Sequence, residues 1–210
     1  MEIKNRIQKG IYLVVDPSMD ETILLKRIEQ ALHEKIVALQ IWDNFQEEQK
    51  IIPLIDKICE LCHSKEVPVF INNQWELLGE AALDGVHFDE IPEDIKKIRR
   101  KIGKQFLSGL TCNNDLSWVS WAEKNRFDYI SFCSIFPSST SNSCELVDFE
   151  TIKKTKEKSS LPVFLAGGIN PDNIKELNEL DFEGVAVVSG IMNTDRPQKA
   201  IQNYLKKLNL

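Results

Sequence analysis

Two stretches of the chain end an apolar run on bare main chain. In LPVFLAGGIN (161–170) the run closes on Gly167 and Gly168, and in EGVAVVSGI (183–191) on Val188, Ser189 and Gly190. Glycine gives up side-chain packing and costs backbone entropy, so a pair of them suits a place where something approaches the backbone closely. Amides bared in this way, backed by the start of a following helix, can hold a phosphate. The alternative is that both stretches only turn the chain tightly into the next element.

Two further groups could carry chemistry. His87, in LDGVHF, could act as an acid or base beside a ligand, or serve as a hydrogen-bonded structural residue. Cys59-Glu60-Leu61-Cys62-His63 spells the C-x-x-C-H of haem attachment. It lies within QKIIPLIDKICELCHSKEV, where Ile51, Leu54, Ile55, Ile58, Leu61 and Cys62 recur at helical spacing. Without an export signal, the pattern reads as a helix with two small, semi-buried thiols. Five cysteines, an odd count, point to reduced thiols rather than a disulfide framework.

The elements that must position these residues are drawn from an ordinary globular composition. The chain has 210 residues, 42% hydrophobic and 28% charged, and no low-complexity run or linker divides it, so one domain over 1–210 is expected. A net charge of −6 argues against nucleic acid as a partner, because a phosphate backbone needs a basic face. The first residues, MEIKNRIQKGIYLVVD, lack a signal-peptide core, and no apolar run approaches the roughly 18 residues of a membrane span. A cytoplasmic protein with no membrane partner is expected.

A rhythm runs through the whole chain: a short β-branched run, a few polar residues, then a segment of helical period. Strands are expected at 11–16, 37–42, 67–72, 84–88, 105–111, 128–133, 161–166 and 183–189. Helical segments are expected at about 20–34, 47–65, 74–82, 93–102, 115–125, 148–158, 171–179 and 194–206. Eight such alternations are the pattern of a (β/α)8 TIM barrel, an α/β fold; an open doubly wound sheet is the rival. In a barrel the site lies at the carboxyl ends of the strands, with phosphate commonly beyond strands seven and eight. The two bare stretches fall there.

With these elements placed, several segments together resemble the thiamine phosphate synthase family and its thiazole tautomerase relatives. IYLVVDP is similar to the family's first strand, ALQIW to its Gln-Leu-Arg segment, VPVFINN to its Ile-Asn-Asp segment and LDGVHF to its Gly-Val-His-Leu turn. DYISFCSIFPSSTS follows its Ile-Phe-Pro-Thr-x-Thr-Lys run, and AGGIN with EGVAVVSGI completes the pattern from about Ile11 to Ile191. The resemblance implies a TIM barrel of thiamine biosynthesis. Its transferase joins a hydroxymethylpyrimidine diphosphate to a thiazole phosphate, and Mg2+ helps pyrophosphate depart. It also implies roles for residues. Gly167, Gly168, Val188 and Ser189, with Gly190, would hold a phosphate, and Gln40 and Asn72 would lie near the pyrimidine. Thr111 replaces a serine and Ser138 a threonine with the hydroxyl kept, and Thr140 matches directly. Thr111 and His87 are the candidate catalytic residues.

The charged part of the pattern departs. The family's arginine two residues beyond the glutamine is Trp42, and its following lysine is Asn44. Its metal aspartate after the asparagine is Asn73, a weaker ligand for a hard cation, and its second falls on Pro92. The lysine closing the sixth-strand run is Ser141, and 134–148 contains no Lys or Arg. Asp89, Glu90 or Asp94 could restore a carboxylate for Mg2+, Asp89 being the candidate substitute, or could simply be solvated acids at a helix start. Trp42 could stack on a flat heterocycle or fill the diphosphate space. Trp75, Trp118 and Trp121 fall on expected helices and read as packing. The tautomerase's working histidine corresponds to GLTCNND, which offers only Cys112 or Asn113.

A departing diphosphate needs cations, and this half of the site has shed them. The residues therefore favour a family member that binds a small phosphorylated heterocycle, a thiazole phosphate or thiamine phosphate, and isomerises, senses or carries it. An active thiamine phosphate synthase with a rearranged metal site, a tautomerase-like isomerase, and a barrel enzyme acting on a sugar phosphate are the alternatives. A homo-oligomer stays open.

Overall fold

Eight runs of alternating side chains form eight short strands. The computed structural model describes residues 8–47, 50–138 and 145–208. The strands are β1 (Gly10–Val15), β2 (Ile36–Ile41), β3 (Val69–Asn72), β4 (Gly85–Phe88), β5 (Leu107–Cys112), β6 (Tyr129–Cys133), β7 (Val163–Ala166) and β8 (Gly184–Val187). Each pairs in parallel with the next, and β8 pairs with β1 to close the barrel. The closed order excludes the open-sheet rival.

Helices α1 (Glu21–Ala31), α2 (Ile51–His63), α3 (Ile95–Ile102), α4 (Leu116–Lys124), α5 (Phe149–Lys158) and α7 (Pro197–Leu208) surround it, with the four-residue α6 (Ser189–Met192) directly after β8. Aspartates set several starts: Asp20, Asp94 and Asp115 accept the amides of Ile23, Lys97 and Ser117 at 3.0, 2.9 and 2.8 Å. After β3 and β7 the expected helices are 3-10 turns, Trp75–Gly79 and Ile174–Glu179. Gly79 weakens the first. Ahead of the second, Asn170 Oδ1 accepts the amides of Asp172 and Asn173, which competes with a regular helical ladder.

Strand alternation makes two cores. Outward residues such as Ile11, Leu13, Leu39, Ile71 and Leu165 are fully buried under the helices. Inward residues fill the barrel: Tyr12, Phe70, Tyr129 and Phe164 form an aromatic plug with neighbouring ring centroids 5.5 to 5.9 Å apart. Gly85 and Gly109 make room for it, since a Cβ at Gly85 would meet Phe70 Cε1 at 2.5 Å and one at Gly109 would enter the Tyr129 ring.

At the amino end of the barrel a motif occurs three times. Asp84, Asp128 and Glu183 each precede an even-numbered strand. Each donates its amide to the carbonyl of Val69, Ser108 or Val163 and takes that residue's amide on its carboxylate. A basic side chain from a neighbouring helix lies close to each: His63 bonds Asp84 at 2.8 Å, Lys156 meets Glu183 at 3.0 Å, and Arg99 attracts Asp128.

The C-x-x-C-H segment lies on α2. Cys59 and Cys62 are fully buried rather than half-buried, and burial raises the Cys59 thiol to about 12. Both act as packing side chains. Trp75, Trp118 and Trp121 also pack on the outer core. Among the described residues no helix is long and apolar enough to cross a membrane.

Candidate functional site

Above the aromatic plug the next inward position is polar on β2 to β6, while β1, β7 and β8 present Val14, Ala166 and Ala186. Gln40 on β2, Asn72 on β3, His87 on β4, Thr111 on β5 and Ser131 on β6 form the floor of a cavity of about 760 Å3 at the carboxyl ends of the strands. Register brings them together, with Asn72 opposite His87 and Thr111 opposite Ser131. Every one is satisfied. Gln40 Nε2 donates to Asn72 Oδ1 at 3.0 Å, and Tyr12 donates to Gln40 Oε1 at 3.0 Å. The hydroxyls of Tyr12 and Tyr129 are 2.7 Å apart, and His87 Nδ1 is 2.9 Å from the latter. His87 Nε2 is 2.8 Å from Thr111 Oγ1, which lies 3.2 Å from Ser131 Oγ.

Burial dominates the protonation of this floor. It lowers the His87 imidazole to about 4, only partly countered by the Asp89 charge. It raises the Tyr12 and Tyr129 phenols well above their ordinary range. The floor is therefore uncharged at neutral pH.

The β7–β8 side of the mouth carries the bare stretches. Gly167 and Gly168 have φ of +88° and +68°, a region that disfavours any side chain. What approaches them closely is the loop after β6: a Cβ at Gly167 would lie 2.6 Å from Ser134 Oγ, and one at Gly168 2.5 Å from the Pro137 carbonyl. Phe136 donates its amide to the Gly167 carbonyl at 3.0 Å. The glycine pair is thus required by a tight turn and by packing against that loop. Gly167, Gly168, Val188, Ser189 and Gly190 all line the cavity. Among the described residues the amides of Gly167, Gly168, Ser189 and Gly190 have no hydrogen-bond partner. Tyr204 of α7 braces this side by donating to the Ile169 carbonyl at 3.0 Å.

The opposite rim is built differently. Trp42 lines the cavity beside Asp89 and Glu90. Asn73 Nδ2 lies between two carboxylates, donating to Asp43 Oδ2 and Asp89 Oδ2 at 2.9 Å each, while Asn73 Oδ1 accepts the Asp89 amide at 2.9 Å. Asp89 Oδ2 also accepts from Asn72 Nδ2 at 3.0 Å. Asn44 turns away to Asp16, with its Nδ2 3.1 Å from Asp16 Oδ1. Asp94 caps α3, and Pro92 does not line the cavity. Among the described residues no Lys or Arg lines the cavity, and no group of three or more His, Cys, Asp or Glu could hold a metal ion. Ser138 lines the cavity, whereas Thr140 and Ser141 lie outside the described residues.

The two tautomerase-like positions are not poised for proton transfer. Cys112 is buried with its thiol raised to about 12, and Asn113 Oδ1 accepts the Asp115 amide at 2.8 Å. Sequence reasoning does not single out Tyr12, Tyr129 or Ser131. The phenols read as core aromatics, and only inward strand phase, shared with Gln40 and Thr111, could have flagged their hydroxyls.

A barrel with a neutral polar floor and bare amides beyond β7 and β8 is the framework of a phosphate-binding barrel family, and comparison specifies which. The model of the thiamine monophosphate synthase family matches residues 11–191, and the chain belongs to that family. Among curated relatives, the thiamine-phosphate synthase of Methanobrevibacter smithii is 29% identical over 203 residues, covering 97% of each chain. That of Fusobacterium nucleatum is 30% identical over 203 residues, covering 95% of this chain and 97% of its own. In fold, the thiamine phosphate pyrophosphorylase of Pyrococcus furiosus superposes with a TM-score of 0.82 at 21% identity, covering 99% and 98% of the two chains.

Proposed function

We propose that this family member binds a phosphorylated thiazole or thiamine-type ligand and does not join two substrates at an ordinary biosynthetic rate. The phosphate would lie on the amides of Gly167, Gly168, Ser189 and Gly190, with Val188 and Ser138 beside it. The heterocycle would lie over Gln40, Asn72, Thr111 and His87, flanked by Trp42. Amides at the cavity wall without partners among the described residues support the first part, since an anion can take them without displacing a protein contact.

One observation carries the second part: no cation lines the cavity wall among the described residues, and the rim opposite the amides carries Asp89 and Glu90. A leaving diphosphate brings about three negative charges, and neutralising them usually lowers the barrier more than any other effect in such catalysis. Here it would face carboxylates. The donor set also does not fit Mg2+. Asn73 turns its N–H2 group, not its oxygen, into the gap between Asp43 and Asp89, and a hard cation needs oxygens there. No step of the proposed function runs through a metal. The test is to mix hydroxymethylpyrimidine diphosphate, thiazole phosphate and Mg2+ and follow thiamine phosphate formation. The expected rate is at least roughly 10³-fold below an ordinary synthase, the scale on which missing charge stabilisation acts. Turnover on the usual scale of roughly 1–10³ per second would overturn the reading.

A further inference from the structure

The hydrogen bonds of the floor form a directed ring that begins and ends at His87. Its direction is set by groups whose roles are unambiguous. The Asp89 amide can only donate, so Asn73 must present Oδ1 to it and Nδ2 to the two carboxylates. The Asp89 carboxylate and the His87 carbonyl can only accept, so Asn72 must turn Nδ2 toward them, at 3.0 and 3.4 Å. A flipped Asn72 amide would put an oxygen against two acceptors.

The proton positions around the ring follow in turn. Asn72 Oδ1 accepts, so Gln40 presents Nε2 to it and Oε1 to Tyr12. The Tyr12 proton is then committed to Gln40, so the short contact to Tyr129 must use the Tyr129 proton. With that proton committed, Tyr129 can only accept from His87 Nδ1. His87 is 5% exposed and both ring nitrogens meet only neutral hydroxyls, so one ring nitrogen carries its single proton.

We infer that Tyr12, acting through Tyr129, is a positioning residue that holds His87 as the Nδ1–H tautomer and thereby sets the polarity the floor shows to a ligand. His87 Nε2 is then an acceptor, and the Thr111 hydroxyl donates to it. Ser131 donates inward as well, to Thr111 Oγ1 at 3.2 Å or to His87 Nε2 at 3.4 Å. Both hydroxyl protons point into the protein. Thr111 and Ser131 therefore offer only lone pairs to the cavity, and the ligand edge that meets them carries N–H or O–H donors rather than a carbonyl or carboxylate. The tautomer stands whether or not the proposed ligand is right; the statement about the ligand edge rests on that reading.

The test needs no ligand. Two-bond 1H–15N spectra of the histidine-labelled protein at neutral pH distinguish a protonated ring nitrogen from a bare one, and the three histidines are assigned by His33→Gln and His63→Gln. The expected wild-type pattern has His87 protonated at Nδ1 and bare at Nε2. In Tyr12→Phe the Tyr129 proton is released to bond His87 Nδ1, and the signal should shift to the Nε2–H pattern. Tyr129→Phe, which removes the acceptor itself, should shift it too. A merely structural tyrosine would leave the tautomer unchanged on replacement by phenylalanine. A wild-type His87 protonated at Nε2, or a pattern unchanged in folded Tyr12→Phe and Tyr129→Phe, would overturn the inference.

Discussion

The two ends of the barrel treat carboxylates in opposite ways. At the amino end Asp84, Asp128 and Glu183 each accept a main-chain amide; Asp84 and Glu183 also bond His63 and Lys156, Asp128 feels the charge of Arg99, and each is at least partly buried. At the carboxyl end Asp43 and Asp89 share the amide of one asparagine and form no ion pair among the described residues. The first arrangement ties neighbouring strands together. The second leaves the Asp89 charge at the cavity, where it holds two asparagine amides rather than a cation among the described residues. The contrast separates a stability end from a ligand end, as expected for this architecture.

Acid should strike the carboxyl end hardest. The folded His87 pKa of about 4 lies below the ordinary 6.5, so between those values the unfolded chain binds more protons. The stability this residue contributes is complete above about pH 6.5 and is lost as pH falls toward 4, by about 3 kcal/mol. Urea unfolding at about pH 7 and about pH 4.5 should show a smaller loss in His87→Gln than in the parent. Equal losses would contradict a buried neutral imidazole.

The missing cations can be returned. Trp42→Arg, Asn73→Asp and Ser141→Lys together should tighten pyrophosphate binding in the presence of Mg2+ by about tenfold or more, the equivalent of about 1.4 kcal/mol. Unchanged affinity by calorimetry would mean that these positions do not face a diphosphate site.

A pair of stability measurements sharpens the comparison directly. Glu183→Gln removes the nearer carboxylate of Lys156, leaving Asp181 at 3.7 Å, and should cost about 1–2 kcal/mol in denaturant melts. Asp89→Asn, at the other end, removes a charge that no cation among the described residues pairs with and should change stability by no more than about 0.5 kcal/mol. Similar costs at both ends would erase the distinction.

Much of this was legible in the residues. The β-branched runs at 11–16 through 183–189 anticipated all eight strands, because a strand buried on both faces needs such side chains. Gln40, Asn72, His87 and Thr111, the first two and the last singled out by the family resemblance, line one mouth. Helix type after β3 and β7 was not legible, since short connections obey side-chain competition such as that of Asn170 rather than period. The glycine pair was legible as a close approach but not as an approach by Ser134 and Pro137 of the same chain. The polar ring was hidden for a similar reason: Tyr12 and Tyr129 are apolar plugs by pattern, and only register reveals that their hydroxyls meet.

The most direct test of the proposal that the mouth offers amides to a monophosphate and no cations to a diphosphate is isothermal calorimetry with thiamine phosphate and hydroxymethylpyrimidine diphosphate, each with and without Mg2+. Thiamine phosphate should bind with an affinity that Mg2+ leaves unchanged, and the diphosphate should bind weakly in both conditions. Tight diphosphate binding that appears only with Mg2+ would contradict this reading and favour ordinary synthase chemistry.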